Sequence, residues 1–469
     1  MKNLILAGLL SVVGTQALAF EGSNNPDFFN KNYNHKMSEL PLEGSLETAM
    51  TPWASSFWPH IYGGIAFRWN NFYSDIPSIR QYQAQIGALK DEITSLKNEL
   101  FSSENATDAM VLASEAKIRE AKGQISRLLS LKGAEHKKYF FDLKRPSSLE
   151  MVKEMSQADV DKLSATEKYD IYTSLKYGKN LNLKLTKNVL NFTGPFSSYW
   201  EGVCNGWSSA AIEFVEPKVT TFSKDGITIN FASSDLKALL SYYHSSITKN
   251  YFARKKTRIN RIGERCKTEF PQEAWSLVNG KEYYKSVIGG KVVVNAVPAE
   301  CVDTNPGAFH IAMTNRINTE KKSFVAEVVR DREVWNQPVV GYKSAVVSES
   351  TSNFINAMSK TKKQIKVKTT LHYANDGGRM FWEQDDPEEE FYAWWNPTSG
   401  TSNYRAGHKD FEYILDIDKK GKIIGGYWLS YERPDFIWLK RKSGFLGKKA
   451  GLGIVGYMDD LRDLVEVRK

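Results

Sequence analysis

Apolar side chains recur at alternating steps of three and four between residues 79 and 100, and this seam restricts the fold more than any other feature. Such a pattern is the heptad signature of a helix that packs along one stripe. A polar break at 102–105 ends the seam, and a second seam follows over 111–128. The sequence therefore predicts an antiparallel helical hairpin, with coiled-coil packing, over residues 76–138. Two roles are open for it: a pro-segment or partner-binding arm, or a helical layer on the core. The first seam consists of Ile79, Tyr82, Ile86, Leu89, Ile93, Leu96 and Leu100.

Residues 1–19 have the features of a secretory leader. Lys2 precedes an apolar run that ends in Ala17-Leu18-Ala19, a small-residue cleavage pattern. Loss of Lys2 lowers the net charge from +9 to +8, because 9 − 1 = 8. This basic charge favours contact with anionic cell surfaces. No nucleic-acid module accompanies it, and no later apolar run approaches the ~20 residues of a membrane helix. We therefore predict a secreted or periplasmic protein with no membrane span and no nucleic-acid partner.

The chain contains three cysteines, and an odd number in an exported protein leaves one without a partner. Cys266 and Cys301 lie 35 residues apart and form the natural pair (301 − 266 = 35), so Cys204 is the predicted free thiol. A free thiol kept in an oxidising compartment is more often functional than incidental. The alternative is that all three cysteines stay reduced and buried.

The stretch around Cys204 predicts a nucleophile at the start of a helix. A glycine-containing turn precedes the cysteine, and the small residues 208–211 suit a buried helix that runs to about Phe214. Unpaired N–H groups at a helix N-terminus favour the thiolate and can stabilise an oxyanion once it attacks a carbonyl. Trp200 and Trp207 bracket the site, where they could exclude water or line a substrate slot. The alternative is a buried structural cysteine.

Helix-forming patterns dominate before the cysteine stretch, and strand-forming patterns dominate from residue 308 onward. Ser164 to Glu167 match a Ser-x-x-Glu capping box, and Gly421 marks a hairpin turn near the C-terminal end. This order predicts an α+β protein with its site between a helical half and an antiparallel β half. Strands are predicted at 308–314, 323–330, 365–373, 390–395, 411–418 and 422–432. The predicted division is a leader at 1–19, an aromatic arm at 20–75, the helical hairpin at 76–138 and a catalytic domain at 139–469.

His310 is the candidate base for Cys204. It lies among small and apolar residues in the predicted strand 308–314, although a satisfied core histidine is an equally common outcome. If that strand pairs antiparallel with 323–330, Asp331 lies opposite His310 and could hold its second ring nitrogen. Asn336 is the alternative orienting residue if a bulge shifts the register.

A ten-residue motif lies just beyond these candidates: Val334-Trp335-Asn336-Gln337-Pro338-Val339-Val340-Gly341-Tyr342-Lys343. It resembles the signature segment of the secreted transglutaminase elicitors, a family first known from oomycetes. The family has Arg at the position of Val340 and Phe at the position of Tyr342. The Cys-Asn-Gly-Trp turn at 204–207 and the runs 425–428 and 434–438 are similar as well. The resemblance spans residues 53–438 and is weakest in the helical hairpin.

The resemblance implies a papain-like or transglutaminase-like core that carries out acyl transfer. The Cys204 thiolate would attack the carboxamide of a protein glutamine, and His310, held by Asp331, would act as acid in the release of ammonia. A lysine or polyamine would then take the thioester to give an isopeptide bond. The side chains that would bind substrate and exclude water are Trp200, Trp207, Trp335 and Asn336. Exclusion of water is what separates transfer from hydrolysis.

Family members are often calcium-dependent, and the acidic run 383–390 could supply oxygen ligands. The run lacks EF-hand spacing, so a solvated acidic loop is the alternative and no metal ligand is assigned. Two other functions compete with the transglutaminase. One is a cysteine endopeptidase or amidohydrolase with the same triad, and the other is a non-catalytic cell-wall binding protein with an inert core cysteine.

Overall fold

The computed structural model describes residues 20, 22–68, 76–102, 107–252, 259–266, 272–288, 291–298, 301–330, 333–375, 406–440 and 453–468. The predicted leader, the predicted strand 390–395 and the acidic run 383–390 lie outside these residues. The helices are α1 (Pro77–Ser102), α2 (Asp108–His136), α3 (Leu149–Glu154), α4 (Gln157–Asp161), α5 (Ala165–Tyr177), α6 (Lys184–Phe192), α7 (Cys204–Glu213), α8 (Ser233–Phe252), α9 (Pro306–Thr314) and α10 (Ile454–Tyr457). The strands are β1 (Glu43–Ser45), β2 (Thr220–Lys224), β3 (Ile227–Phe231), β4 (Ile259–Gly263), β5 (Trp275–Val278), β6 (Lys281–Ile288), β7 (Lys291–Ala296), β8 (Val325–Glu327), β9 (Asn336–Ser350), β10 (Lys363–Ala374), β11 (Ala406–Ile417), β12 (Ile423–Trp428) and β13 (Phe436–Lys440).

Helices α1 and α2 form the predicted hairpin. The side chains of α1 that are buried at seven-residue steps are Ile79, Ile86, Ile93 and Leu100. At one end of the hairpin Phe101 packs against Ala274, beside the three-stranded sheet β5-β6-β7. At the other end His136 lies 5.0 Å from the ring of Tyr62. The α+β class and the helical hairpin are therefore confirmed, whereas the pro-segment role stays a prediction.

An antiparallel sheet, whose strands do not follow the order of the chain, separates two hydrophobic cores. Its strands lie in the order β12-β11-β10-β9-β8-β13-β4, and β1 adds to β9. Val340 and Ala374 pack with α5, α6, α7 and α8 in what we call the first core. Their chain neighbours Val339 and Tyr373 pack with α9 in the second core. Because successive strand residues point to opposite faces, the two cores lie on opposite sides of the sheet.

The segment predicted as strand 308–314 is instead helix α9, so that prediction is wrong. Asn305 caps the helix by accepting hydrogen bonds from the N–H groups of Gly307 (2.9 Å) and Ala308 (3.3 Å), and Pro306 occupies the first turn. Every residue of α9 is buried. An element that is buried all round shows no helical periodicity, and a short apolar run fits a strand equally well. The proposed hairpin between 308–314 and 323–330 does not form, because β8 pairs with β9 and β13.

Other local predictions are confirmed. Ser164 and Glu167 form the reciprocal capping box at the start of α5. Gly421, with φ of +76°, donates its N–H to Asp418 at 3.0 Å in the turn between β11 and β12. Cys266 and Cys301 form the predicted disulfide. The long strand β9 and the three-stranded sheet were not predicted.

A buried arginine–carboxylate network, formed by Glu282, Asp303, Arg330 and Arg433, connects the three-stranded sheet to the large one. Arg433 donates to Asp303 at 2.6 Å and to Glu282 at 2.7 Å, and Arg330 donates to the same two oxygens at 3.1 and 2.8 Å. Both guanidinium groups also contact the carbonyl oxygen of Cys301. The network therefore joins the disulfide region to the segments that lead into β9 and β13.

Asp435 lies beside this network, and its carboxyl group has a strongly raised pKa. Its side chain is fully buried. Burial, followed by the charges of Glu327 and Asp303, raises the pKa of Asp435 to about 10. Asp435 therefore holds its proton in the folded protein at neutral pH, while the unfolded chain releases it near pH 4.

We expect Asp435→Asn to stabilise the protein increasingly as pH rises. Between pH 4 and 10 unfolding releases the Asp435 proton, so this group's contribution to stability falls by up to about 1.4 kcal/mol per pH unit. The amide has the same shape and no charge at any pH, so the variant lacks this loss. Urea unfolding at pH 6, 7 and 8 should show the variant gaining about 2–3 kcal/mol over the wild type across that range. Asp142→Asn, at an exposed ion pair, is the control; a variant-minus-wild-type difference that does not change with pH would refute the assignment.

Candidate active site

Cys204 is the first residue of α7 and the free cysteine of the chain. The small residues after it allow α7 to approach α8 closely. A Cβ at Gly206 would lie 1.9 Å from the carbonyl oxygen of Ser241, so no larger residue fits there without moving α8. This close packing fixes the start of α7, and with it the position of the sulfur.

The Cys204 sulfur contacts the segment that leads into β9. Its thiol donates to the carbonyl oxygen of Val334 at 3.4 Å, and it accepts from the side-chain amide Nδ2 of Asn336 at 3.5 Å. The residue is 8% exposed. The carbonyl contact favours the neutral thiol, whereas the amide N–H favours the thiolate. Asn336, predicted as a substrate-binding or histidine-orienting residue, contacts the sulfur itself.

Trp438 of β13 holds the other end of the Asn336 amide. Its indole Nε1 donates to Asn336 Oδ1 at 2.7 Å, and both residues are buried. The sequence interpretation gave Trp438 no role in the site. Its position in the 434–438 run was the available signal, but the contact depends on two strands whose pairing the sequence does not reveal.

Aromatic side chains cluster around Glu333 and Trp335, just before Asn336 in the chain. The rings of Phe57 and Trp335 pack edge to face at 5.0 Å, and Trp335 Nε1 donates to Glu333 at 2.9 Å. Tyr199 contacts Glu333 through its hydroxyl group, and Lys90 of α1 lies 4.9 Å from the Tyr199 ring. Trp335 therefore follows directly after Val334, whose carbonyl oxygen contacts the sulfur, and Lys90 joins the helical hairpin to Tyr199. The role of Trp335 in substrate binding stays a prediction.

The other two predicted tryptophans, Trp200 and Trp207, differ in burial. Trp200 is half-buried in the turn before Cys204. Trp207 is fully buried, and its indole donates to the carbonyl oxygen of Trp53 at 3.3 Å. Since α7 turns Trp207 into the first core, the prediction that Trp207 lines the substrate slot is not supported.

His310 and Cys204 lie in different hydrophobic cores. The Nδ1 of His310 is hydrogen-bonded to the Tyr413 hydroxyl at 2.8 Å, within the second core, whereas Cys204 packs in the first. Nε2 has no hydrogen-bond partner among the described residues. Burial lowers the pKa of His310 to about 4, so the ring is neutral at pH 7. The proton transfer predicted between His310 and Cys204 stays a prediction.

The remaining predicted site residues are outside the part of the chain that the structure describes. Asp331 and the acidic run 383–390 both fall there. Among the described residues, no group of three or more His, Cys, Asp or Glu side chains is arranged to hold a metal ion. The role of Asp331 and the binding of calcium therefore stay predictions.

The strands that bring Asn336 and Trp438 together lie in a segment with a recognisable family pattern. Residues 297–466 match the transglutaminase elicitor family. The resemblance predicted from the motif at 334–343 is thus confirmed. The transglutaminase elicitor segment contains His310, Asn336 and Trp438, while Cys204 precedes it.

Comparison with solved structures gives a match to the GP42 transglutaminase from Phytophthora sojae. The two chains are 21% identical, with a TM-score of 0.44, and the match covers 91% of this chain and 92% of that one. No curated protein matches this sequence. No helix in the described ranges is long and apolar enough to cross a membrane.

Proposed function

We propose that this protein is a secreted protein-glutamine γ-glutamyltransferase with Cys204 as its nucleophile. The observation that carries the proposal is the contact between Cys204 Sγ and the Asn336 amide, 3.5 Å apart, at the N-terminus of α7. Asn336 belongs to the transglutaminase elicitor segment, and Cys204 is the cysteine that the disulfide leaves free.

The reaction has two acyl-transfer steps. The Cys204 thiol loses its proton, the thiolate attacks the carboxamide carbon of a protein glutamine, and the C–N bond breaks; the leaving nitrogen takes up that proton and departs as ammonia. A lysine or polyamine nitrogen then attacks the thioester, the C–S bond breaks, an amide bond forms, and the proton lost by the amine returns to the sulfur. The Asn336 N–H and the first N–H groups of α7 are donors for the oxyanion of each tetrahedral intermediate. The base is not assigned, because His310 is fully buried and hydrogen-bonded to Tyr413.

The aromatic surroundings favour transfer over hydrolysis. The rings of Phe57 and Trp335 pack together, and Val203, just before Cys204, donates its N–H to the Phe57 carbonyl oxygen at 2.7 Å. We infer that these rings form an apolar entrance to the sulfur. An apolar entrance limits the access of water to a thioester, so an amine that binds there competes better.

The disulfide and the charge support an extracellular setting. Disulfides persist in oxidising compartments, and Cys266–Cys301 is such a bond. A net charge of +9 favours anionic surfaces, where protein glutamines and lysines are available as substrates.

The test is amine incorporation. The purified protein is incubated with a glutamine-rich protein and a fluorescent primary amine, before and after alkylation with iodoacetamide. Fluorescent conjugates that disappear after alkylation support the transferase. Peptide fragments without conjugates would indicate an endopeptidase, and free ammonia without conjugates an amidohydrolase.

One observation favours a second candidate, a non-catalytic binding protein. The Cys204 thiol is 8% exposed and donates to the Val334 carbonyl oxygen, as an inert core thiol would. Failure of iodoacetamide to label Cys204 in the folded protein, together with labelling after unfolding, would support this candidate and count against the transferase.

A further inference from the structure

We propose that Trp438 is a positioning residue: its indole N–H fixes the Asn336 amide so that the NH2 group faces the Cys204 sulfur. The consequence for turnover rests on the proposed function. The consequence for the reactivity of the sulfur does not, because it can be measured by alkylation alone.

The chemistry of the indole decides the orientation of the amide. A side-chain amide has a donor end and an acceptor end, and it can rotate to exchange them. The indole N–H is a donor only, so the atom of Asn336 that lies 2.7 Å from Trp438 Nε1 must be the oxygen. The nitrogen then lies toward Cys204, 3.5 Å from Sγ.

The indole is itself held rigidly. Trp438 lies on β13 between two neighbouring strands, opposite Val325 of β8 and Arg261 of β4. It is 4% exposed and packs with Val325 and Phe436, and Ile212 of α7 packs against the same cluster. The donor that orients the amide and the helix that carries the sulfur therefore rest on one layer of the structure.

Loss of the indole N–H should reverse the effect of the amide on the sulfur. Without that donor, Asn336 can turn its oxygen toward Sγ. A carbonyl oxygen beside a thiolate is repulsive, whereas an N–H is stabilising. The thiolate should then form at higher pH, and the oxyanion should lose a donor.

The variant that tests this is Trp438→Phe, which keeps an aromatic ring and removes the N–H. We expect iodoacetamide to alkylate Cys204 about 10-fold more slowly at pH 7 in the folded variant, with the midpoint of the alkylation pH profile about one pH unit higher. The matched control is Trp428→Phe. Trp428 is equally buried and donates to the Thr304 carbonyl oxygen at 2.7 Å, but it packs in the second core. The control should leave the alkylation profile unchanged.

A double-mutant cycle separates positioning from a general loss of structure. If Trp438 acts through Asn336, Trp438→Phe should have no further effect on alkylation once Asn336→Ala is present. Additive effects in the cycle, or a wild-type pH profile for Trp438→Phe, would overturn the proposal. Should Trp438→Phe fail to fold, β-(3-benzothienyl)alanine at position 438 replaces only the N–H by sulfur and gives the same test.

Turnover distinguishes this proposal from the proposed function. In an active transferase, Trp438→Phe should lower kcat more than it raises KM, because the oxyanion donor acts in the transition state. Shifted alkylation in a protein that incorporates no amine would uphold the positioning role and reject the transferase. Full amine incorporation by Trp438→Phe, with an alkylation profile like that of the wild type, would support the transferase and reject the positioning role.

Discussion

Replacing Cys204 by serine should lower amine incorporation by at least about 10³-fold, and replacement by alanine should abolish it. A serine hydroxyl at this position would have the same helix N-terminus and the same Asn336 donor. The pKa of a serine hydroxyl is far higher than that of a thiol, and these two features cannot lower it to neutral pH. The hydroxyl would therefore stay protonated. The measurement is the initial rate of fluorescent amine incorporation at saturating glutamine donor.

The fold should tolerate both Cys204 variants, since each side chain is isosteric or smaller and the position accepts slight exposure. Thermal unfolding within a few degrees of the wild type would confirm this. Ser209→Ala, farther along the same helix, is the control, because Ser209 is buried and its hydroxyl bonds only the Asn205 carbonyl oxygen, at 3.0 Å. Retention of more than a tenth of the activity by Cys204→Ser would mean that the nucleophile lies elsewhere.

The second large effect concerns stability. Arg433→Met should lower the free energy of unfolding by about 3–5 kcal/mol, because it leaves two buried carboxylates without their closest positive partner. Arg433 is fully buried, and burial alone would lower its pKa, but Asp303 and Glu282 outweigh that effect and raise it. Arg330 remains in the variant, yet one guanidinium cannot satisfy both carboxylates as well as two do.

Urea unfolding at pH 7 measures the Arg433 effect. Lys363→Met is the control, since the ion pair between Lys363 and Glu349 is exposed on both sides and should contribute about 0–1 kcal/mol. Arg433→Lys should recover little, because an ammonium cannot reproduce the fork that bonds Asp303 and Glu282 together. A loss below about 1 kcal/mol for Arg433→Met would show that Arg330 alone neutralises the network.

Local patterns in the sequence predicted local structure well. The seam of α1, the small residues of α7 and the turn at Gly421 each depend on neighbours a few positions away, and the structure confirms all three. Helix α9 was not predicted because it is buried on every side. Its sequence therefore lacks the periodic polar positions that mark a helix. Its Asn305-Pro306 cap was the one local signal of a helix.

The sequence pointed to Cys204 and to Asn336 separately, but not to the contacts that hold the Asn336 amide. Cys204 follows from cysteine counting and from the turn that precedes it. The contact between Trp438 and Asn336 joins residues 102 positions apart, through a sheet in which β13 lies between β8 and β4. Non-sequential strand order of this kind has no signature in composition or spacing, and for the same reason the sequence could not reveal that His310 bonds the Tyr413 hydroxyl.

The division of the molecule by its large sheet has a consequence for evolution. Substitutions in the layer that holds α9 are constrained by packing and by buried hydrogen bonds such as that between His310 and Tyr413. Substitutions in the layer that holds α7 are constrained by packing and also by their effect on the reactivity of the Cys204 sulfur. Substitutions around α9 should therefore alter stability, whereas substitutions around α7 should alter both stability and the reactivity of the Cys204 sulfur.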